Sequence, residues 1–154
     1  MAERFSCSVA GVASGTNKTI INLFQNVAAP TSRPAIYYIM VSSDDTPADQ
    51  AARLNLARTT AVGTEGAGFV PVNLDPGGPA GECDSGNAHS AEPTYTSVKE
   101  LLVGSVNERV TFQWYACFPG SELRSAATQN SGNGLRTVAS TSTQAHEGTL
   151  LFEE

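Results

Sequence analysis

Between Cys83 and Glu92 the chain gathers a thiol, a hydroxyl, an imidazole and carboxylates, as Cys83, Asp84, Ser85, His89 and Glu92. Asp84-Ser85-Gly86 is the kind of tripeptide that surrounds a nucleophilic serine, whose proton a histidine oriented by an aspartate would remove. In the chymotrypsin arrangement that His and Asp precede the serine, whereas both histidines here, His89 and His146, follow it. The tripeptide is therefore read as a turn. Cys83, Asp84, His89 and Glu92 also offer zinc-type donor atoms, but structural zinc takes four ligands, commonly as two close pairs, and only one Cys and one His occur here. A solvated loop is the simpler reading. Asp44, Asp45 and Asp49 invite calcium, yet the glycine and the terminal glutamate of a calcium loop are missing, so turn formation and capping account for them. His146 has no second histidine or acid at a telling spacing and is read as a strand residue facing a neighbouring chain. Arg109, after Glu108, is read as the surface start of its strand. With no phosphate loop, dinucleotide fingerprint or nucleophile elbow, the expectation is a protein that is not an enzyme and carries no metal or cofactor.

The elements that carry these residues read as strands. Arg109 to Phe118 alternates, with Val110, Phe112, Trp114 and Ala116 on one side and Thr111, Gln113 and Tyr115 on the other, and stops at Pro119-Gly120. That pattern predicts a strand through the middle of a half-buried antiparallel sheet. Further strands are expected at about 4–13, where Phe5, Cys7 and Val9 share a face, and at about 18–26, with Ile21 and Leu23 set against Asn22. The turn Ser14-Gly15-Thr16-Asn17 joins them. Ala35 to Val41 is rich in β-branched and aromatic residues and is expected to be buried on both faces. Over Ala48 to Leu56 helix and strand compete; Leu54 and Leu56, two apart with polar neighbours, favour the strand. In Phe69 to Leu74 the internal Pro71 restricts a strand to an edge or a bulge. Strands resume at about 95–103 and 108–118, joined through Gly104 to Asn107, and end near 135–141 and 144–153. Gly134 after Asn133 is read as a turn.

Two loops separate these runs. One, rich in Ser, Asn and Gly, spans about 120–134. The other runs from Asp75 to about Pro93 without periodicity, and so long a loop in a compact domain is usually functional or mobile. Its Asp75, Pro76, Glu82, Cys83, Asp84, His89 and Glu92 are the candidate partner contacts. Eight or nine strands with turn signals between them predict an all-β antiparallel sandwich of jelly-roll type, ahead of an immunoglobulin-like one. The expected organisation is one domain over 1–154, whose N-terminal residues can extend as an arm.

Composition narrows the function. Charged residues are 16% of the 154, net charge is −6, and only nine Lys and Arg occur. Nucleic-acid binding, which relies on clustered cations, is not expected. Neither is a membrane span, because no run of about 18 apolar residues occurs. The first residues lack the basic start and apolar core of a secretion signal, so assembly in a cytosol is expected. In that compartment Cys7, Cys83 and Cys117 stay free thiols, with Cys7 and Cys117 read as small core residues.

Several segments then carry a likeness. Arg33-Pro34-Ala35-Ile36-Tyr37, Thr46-Pro47-Ala48-Asp49, Asn55 to Thr64, Leu74-Asp75-Pro76-Gly77, Glu92-Pro93-Thr94-Tyr95 and Asn107 to Trp114 together resemble, in order over about 30–150, a family of small virion structural proteins of tailed bacteriophages. Glu82-Cys83-Asp84 departs from the family pattern. The resemblance implies a head decoration, or cement, protein that binds the major capsid protein on the outer surface of the icosahedral head and stabilises it without catalysis. It would act as a homotrimer, gaining stability from many weak contacts held together by symmetry. Subunits would meet through strand faces bearing small residues, while the termini or the 75–93 loop grip the shell. The competing readings are a carbohydrate- or receptor-binding β-sandwich module of a tail or head fibre, with Trp114 or tyrosines as stacking platforms, and a small hydrolase using His89 with Ser85 or Cys83.

Overall fold

The computed structural model describes residues 2–13, 15–44, 46–138 and 144–154, with the backbone alone of Val98. Among them are twelve strands and no helix: β1 (Arg4–Ala13), β2 (Lys18–Gln25), β3 (Ala35–Ser43), β4 (Ala51–Ala61), β5 (Ala67–Phe69), β6 (Val72–Asn73), β7 (Cys83–Asn87), β8 (Thr94–Asn107), β9 (Phe112–Tyr115), β10 (Leu123–Arg124), β11 (Gly132–Thr137) and β12 (Ala145–Glu153). They form two antiparallel sheets. In the first the order is β10-β3-β12-β1-β6, with β9 also on β3; in the second it is β5-β7-β2-β11-β4-β8. Four of the pairings are nested, since β1 pairs with β12, β2 with β11, β3 with β9 and β4 with β8.

Alternation makes this a sandwich-like body with one shared core. Phe5 and Cys7 of β1, Ile36 and Ile39 of β3, and Leu150 and Phe152 of β12 are buried with Ile21 and Leu23 of β2, Leu54 and Leu56 of β4, and Leu135 of β11. Phe5 and Phe152 stack with ring centroids 5.4 Å apart. Each such side chain contributes about 1.5–3 kcal/mol by leaving water. A bulge between Val9 and Val12, where Gly11 takes a φ of 68°, shifts the phase of β1 so that Val12 also turns inward.

Several strands depart from the sequence reading. The Arg109–Phe118 run is a strand only over Phe112–Tyr115, and it lies outside β3 rather than in mid-sheet. Phe112 and Trp114 do turn inward, opposite Val41 and Ile39, but Val110 is 60% exposed. The reason lies in β8, which continues through Gly104 to Asn107, so the chain must turn over the next residues to reach the other sheet. Gly104 belongs to that strand because the Phe112 ring packs against it: a Cβ there would sit 3.2 Å from the ring. Gly134 likewise is no turn but a buried strand position, where an added Cβ would meet the Tyr95 hydroxyl at 2.4 Å.

The expected 75–93 loop holds β7, which pairs with β2 and β5. The 120–134 loop holds β10 and the start of β11. Pro71 sits between β5 and β6, the edge strands of the two different sheets, so its missing N–H interrupts no ladder. Ala51–Ala61 is a strand, as chosen over a helix. β3 is buried on its inner face, while Tyr38 and Met40 on the other are half-exposed. Asn22 and Gln25 are as buried as Ile21 and Leu23. Cys7 is in the core, as expected; Cys117, past the end of β9, is exposed. Ser14, Asp45 and 139–141 lie outside the described residues.

Candidate interaction groove

Leu74 follows the two-residue strand β6, which lies against the start of β1: Phe5 is opposite Asn73 and Ser6 opposite Val72. The Leu74 N–H donates to the Arg4 carbonyl at 2.8 Å. Beyond it the turn builds itself from side chains. The Asn73 carboxamide oxygen accepts from the Asp75 N–H at 2.8 Å, and Asp75 Oδ1 accepts from the Gly77 N–H at 3.1 Å, the local bonding that suits Asn and Asp to turns. Asn73 Nδ2 donates to the Pro79 carbonyl at 2.9 Å and to Glu3 Oε2 at 3.3 Å. The two ends of the chain meet at the same place, Glu3 and Glu154 exchanging backbone hydrogen bonds of 3.0 Å. Glu154 then accepts from the N–H groups of Glu82 and Cys83 at 2.7 and 3.0 Å.

A groove of about 480 Å³ results, lined by Ala2, Glu3, Arg4, Asn73, Leu74, Asp75 and Glu153. Leu74 is 49% exposed on its wall. The Arg4 guanidinium lies 5.8 Å from the Tyr37 ring centroid, and among the described residues it makes no ion pair with a carboxylate. Burial pushes the Tyr37 phenol up, and Arg4 partly opposes this. With Arg4, held at the Tyr37 ring, beside three acids and an apolar wall, the groove can seat a chain segment that brings a carboxylate or carbonyl to Arg4 and donors to the acids.

The seven residues expected to meet a partner do not form one site. Asp75 and Pro76 are exposed beside the groove. Glu82 turns its carboxylate to Thr31 and Ser32, accepting from both N–H groups and both hydroxyls at 2.6–3.0 Å, which lowers its pKa to about 2. Cys83 is buried, and burial pushes its thiol well up, with Glu154 adding to the effect. Asp84 accepts from Asn26 Nδ2, and burial raises its carboxyl. Ser85 is fully buried and donates to the Phe69 carbonyl at 2.9 Å.

His89 and Glu92 lie at the opposite end of the sheets, in a separate cleft of about 240 Å³ with Val12, Lys18 and Thr19. Glu92 accepts from the Thr19 N–H and hydroxyl at 3.0 and 2.5 Å and pairs with Lys18 at 3.2 Å. Burial lowers the pKa of His89. Asp44 and Asp49 do not gather, and their contacts are long-range ones rather than those of a turn: the Asp44 N–H donates to the Ala145 carbonyl, and Asp49 accepts from Asn107. His146, read as facing a neighbouring chain, is instead 3% exposed inside the molecule, where burial lowers its pKa and Glu108 opposes this.

Arg4, Leu74 and Glu153 were not among the candidate residues. Their only local signal is that each stands at the end of a strand pattern, and the long-range pairing that joins those ends has no signature in any one segment. Comparison with protein-family models, with curated proteins and with solved structures finds no match to this chain.

Proposed function

We propose that this protein is a decoration protein of a tailed-phage head, a jelly-roll body that adheres to the major capsid protein on the outer surface of the shell and stabilises it without catalysis. The carrying observation is the groove where Glu3, Arg4 and Glu153 at the paired ends of β1 and β12 meet the Asn73–Asp75 turn, with Leu74 49% exposed on its wall: an adhesive protein needs an exposed apolar contact held on a firm backbone. The nested pairing of first strand with last, four pairs deep, supports the jelly-roll part, because winding one long hairpin into two Greek keys produces that order. Trp114 packs inward opposite Ile39, which favours this reading over a sugar-stacking fibre module. Net charge of −6 disfavours adhesion to packaged DNA. Working as a homo-oligomer, with a trimer suiting three-fold points of a shell, the chain gains avidity from weak contacts.

Two measurements test this. The chain should occur in purified virions in copy number comparable with the shell subunit, and added chain should bind isolated heads that lack it. Leu74→Asp should weaken that binding roughly 10-fold or more while leaving the melting temperature unchanged, because Leu74 is 49% exposed. Virions without the chain, or with only a few copies, would sink the proposal.

A further inference from the structure

His89 and His146 are the chain's two histidines, the side chains whose ordinary pKa of 6.5 lies nearest neutrality. Both are buried, 5% and 3% exposed, and both border Val12. Val12 of β1 lies opposite His146 of β12 in the ladder, and it lines the cleft that His89 also lines. His146 belongs to the inward row of β12 with Gly148, Leu150 and Phe152, so it closes the core at this end. Both ring nitrogens of His89, and Nδ1 of His146, are buried with no hydrogen-bond partner among the described residues. Ala88, just before His89, holds a φ of 49°, a left-handed conformation that strains alanine and that loosening of the segment would relieve.

We propose that this end of the sandwich is an acid-operated latch: it is closed while both imidazoles are neutral, and when they take up protons the end of β1, the start of β2, the start of β12 and the 88–92 segment part and let the charged rings reach water. The surroundings set the direction. Facing His89 are Glu92 and Lys18, already paired with each other at 3.2 Å, and the Tyr95 hydroxyl, which meets Thr19 beside Glu92. Facing His146 from the end of β8 is Glu108, itself 4% exposed and accepting from Gln50 at 3.2 Å, while β1 and β3 bring the uncharged Val12 and Ser43. The neighbouring acids are turned elsewhere: Glu147 to Ser42, Asp49 to Asn107, and Asp44 to the backbone at Gly11. Burial lowers both histidine pKa values; Glu92 and Glu108 oppose this, and Lys18 adds to it at His89. An opened end whose rings titrate at the ordinary value binds more protons than the closed one, so closure is complete above about pH 6.5 and is lost as pH falls below it through the lowered folded values.

Amide hydrogen exchange of the full chain, corrected for the intrinsic rate, tests this together with an NMR titration of the two rings. The Asp44 N–H, bonded to the Ala145 carbonyl beside His146, reports the latch. Between about pH 7.5 and about pH 5.5 its protection should fall by up to roughly 10-fold for each histidine that ionises, so up to about 100-fold for both. Over the same range Trp114, packed opposite Ile39 in the middle of β3, should keep its fluorescence, because the body stays folded. His89→Gln combined with His146→Gln should hold the Asp44 protection level across that range. Rings that titrate at or above 6.5 in the folded chain, Asp44 protection that ignores pH, or loss of the Trp114 signal in step with it each overturn the proposal. The ring titration and the exchange of the natural chain decide the matter even if the double variant fails to fold.

Discussion

Four hydrogen bonds converge on the Glu82 carboxylate from Thr31 and Ser32, tying β7 to the segment that leads from β2 into β3. They favour the charged form, so the folded pKa falls from 4.5 to about 2. A depressed acid stabilises the folded state above its unfolded pKa and loses that stabilisation as pH falls through the folded value. Thermal stability should therefore drop between about pH 4.5 and 2, and Glu82→Gln should flatten that part of the curve while costing about 1 kcal/mol at neutral pH, a figure kept small by solvent screening. A melting series of both proteins against pH checks it. Gly134 makes a different demand, that of space: the Tyr95 ring lies over it, its hydroxyl within 2.7 Å of Thr19 Oγ1 and its face 3.9 Å from the Arg136 guanidinium. Gly134→Ala should cost about 1–3 kcal/mol in denaturant unfolding, because the ring must leave its place.

At the scale of elements, the segment from Gly63 to Pro93 explains how the sheets are finished. It leaves β4 at one side of the second sheet, lays β5 and β7 beyond β2, and puts β6 beyond β1 in the first. Both neighbouring edges are thereby covered, and the strands left outermost there are only two and three residues long. Short edges resist pairing with other chains. Replacing 66–90 by a short Gly-Ser link should uncover β2 and β1 and give a protein that aggregates; light scattering during refolding measures this. The same segment shows why the loop reading failed in part. Cys83-Asp84-Ser85-Gly86-Asn87 has the composition of a turn, and what makes it a strand is the open edge of β2 beside it.

Across the whole molecule, the two sheets share one apolar core, so neither can lose its packing alone. Trp114 fluorescence and far-ultraviolet dichroism should report a single coincident unfolding transition. Net charge gives a second expectation for the homo-oligomer proposed above: added salt screens repulsion between copies, so the dissociation constant for self-association, read by sedimentation, should fall from low to physiological salt. A contact made by ion pairs would weaken instead.

The all-β character, the inward rows of β1 and β4, the inward turn of Phe112 and Trp114 and the edge role of the Pro71 segment were legible in the chain, because period-two alternation and a missing N–H act locally. Gly104 and Gly134 were misread because a glycine that bends the chain and a glycine that makes room for a ring look the same until Phe112 and Tyr95 arrive from other strands. The scattering of the seven expected contacts, with Glu82 tied to Thr31 and Ser32 and His89 at the far end from Asp75, was likewise decided by long-range pairing. So was the groove, since it is made from both chain ends and a turn some seventy residues from each. Hydrophobic alternation selects which side of each strand faces inward, whereas which strands become neighbours depends on the free energy of the closed pair of sheets, a property of the whole chain at once.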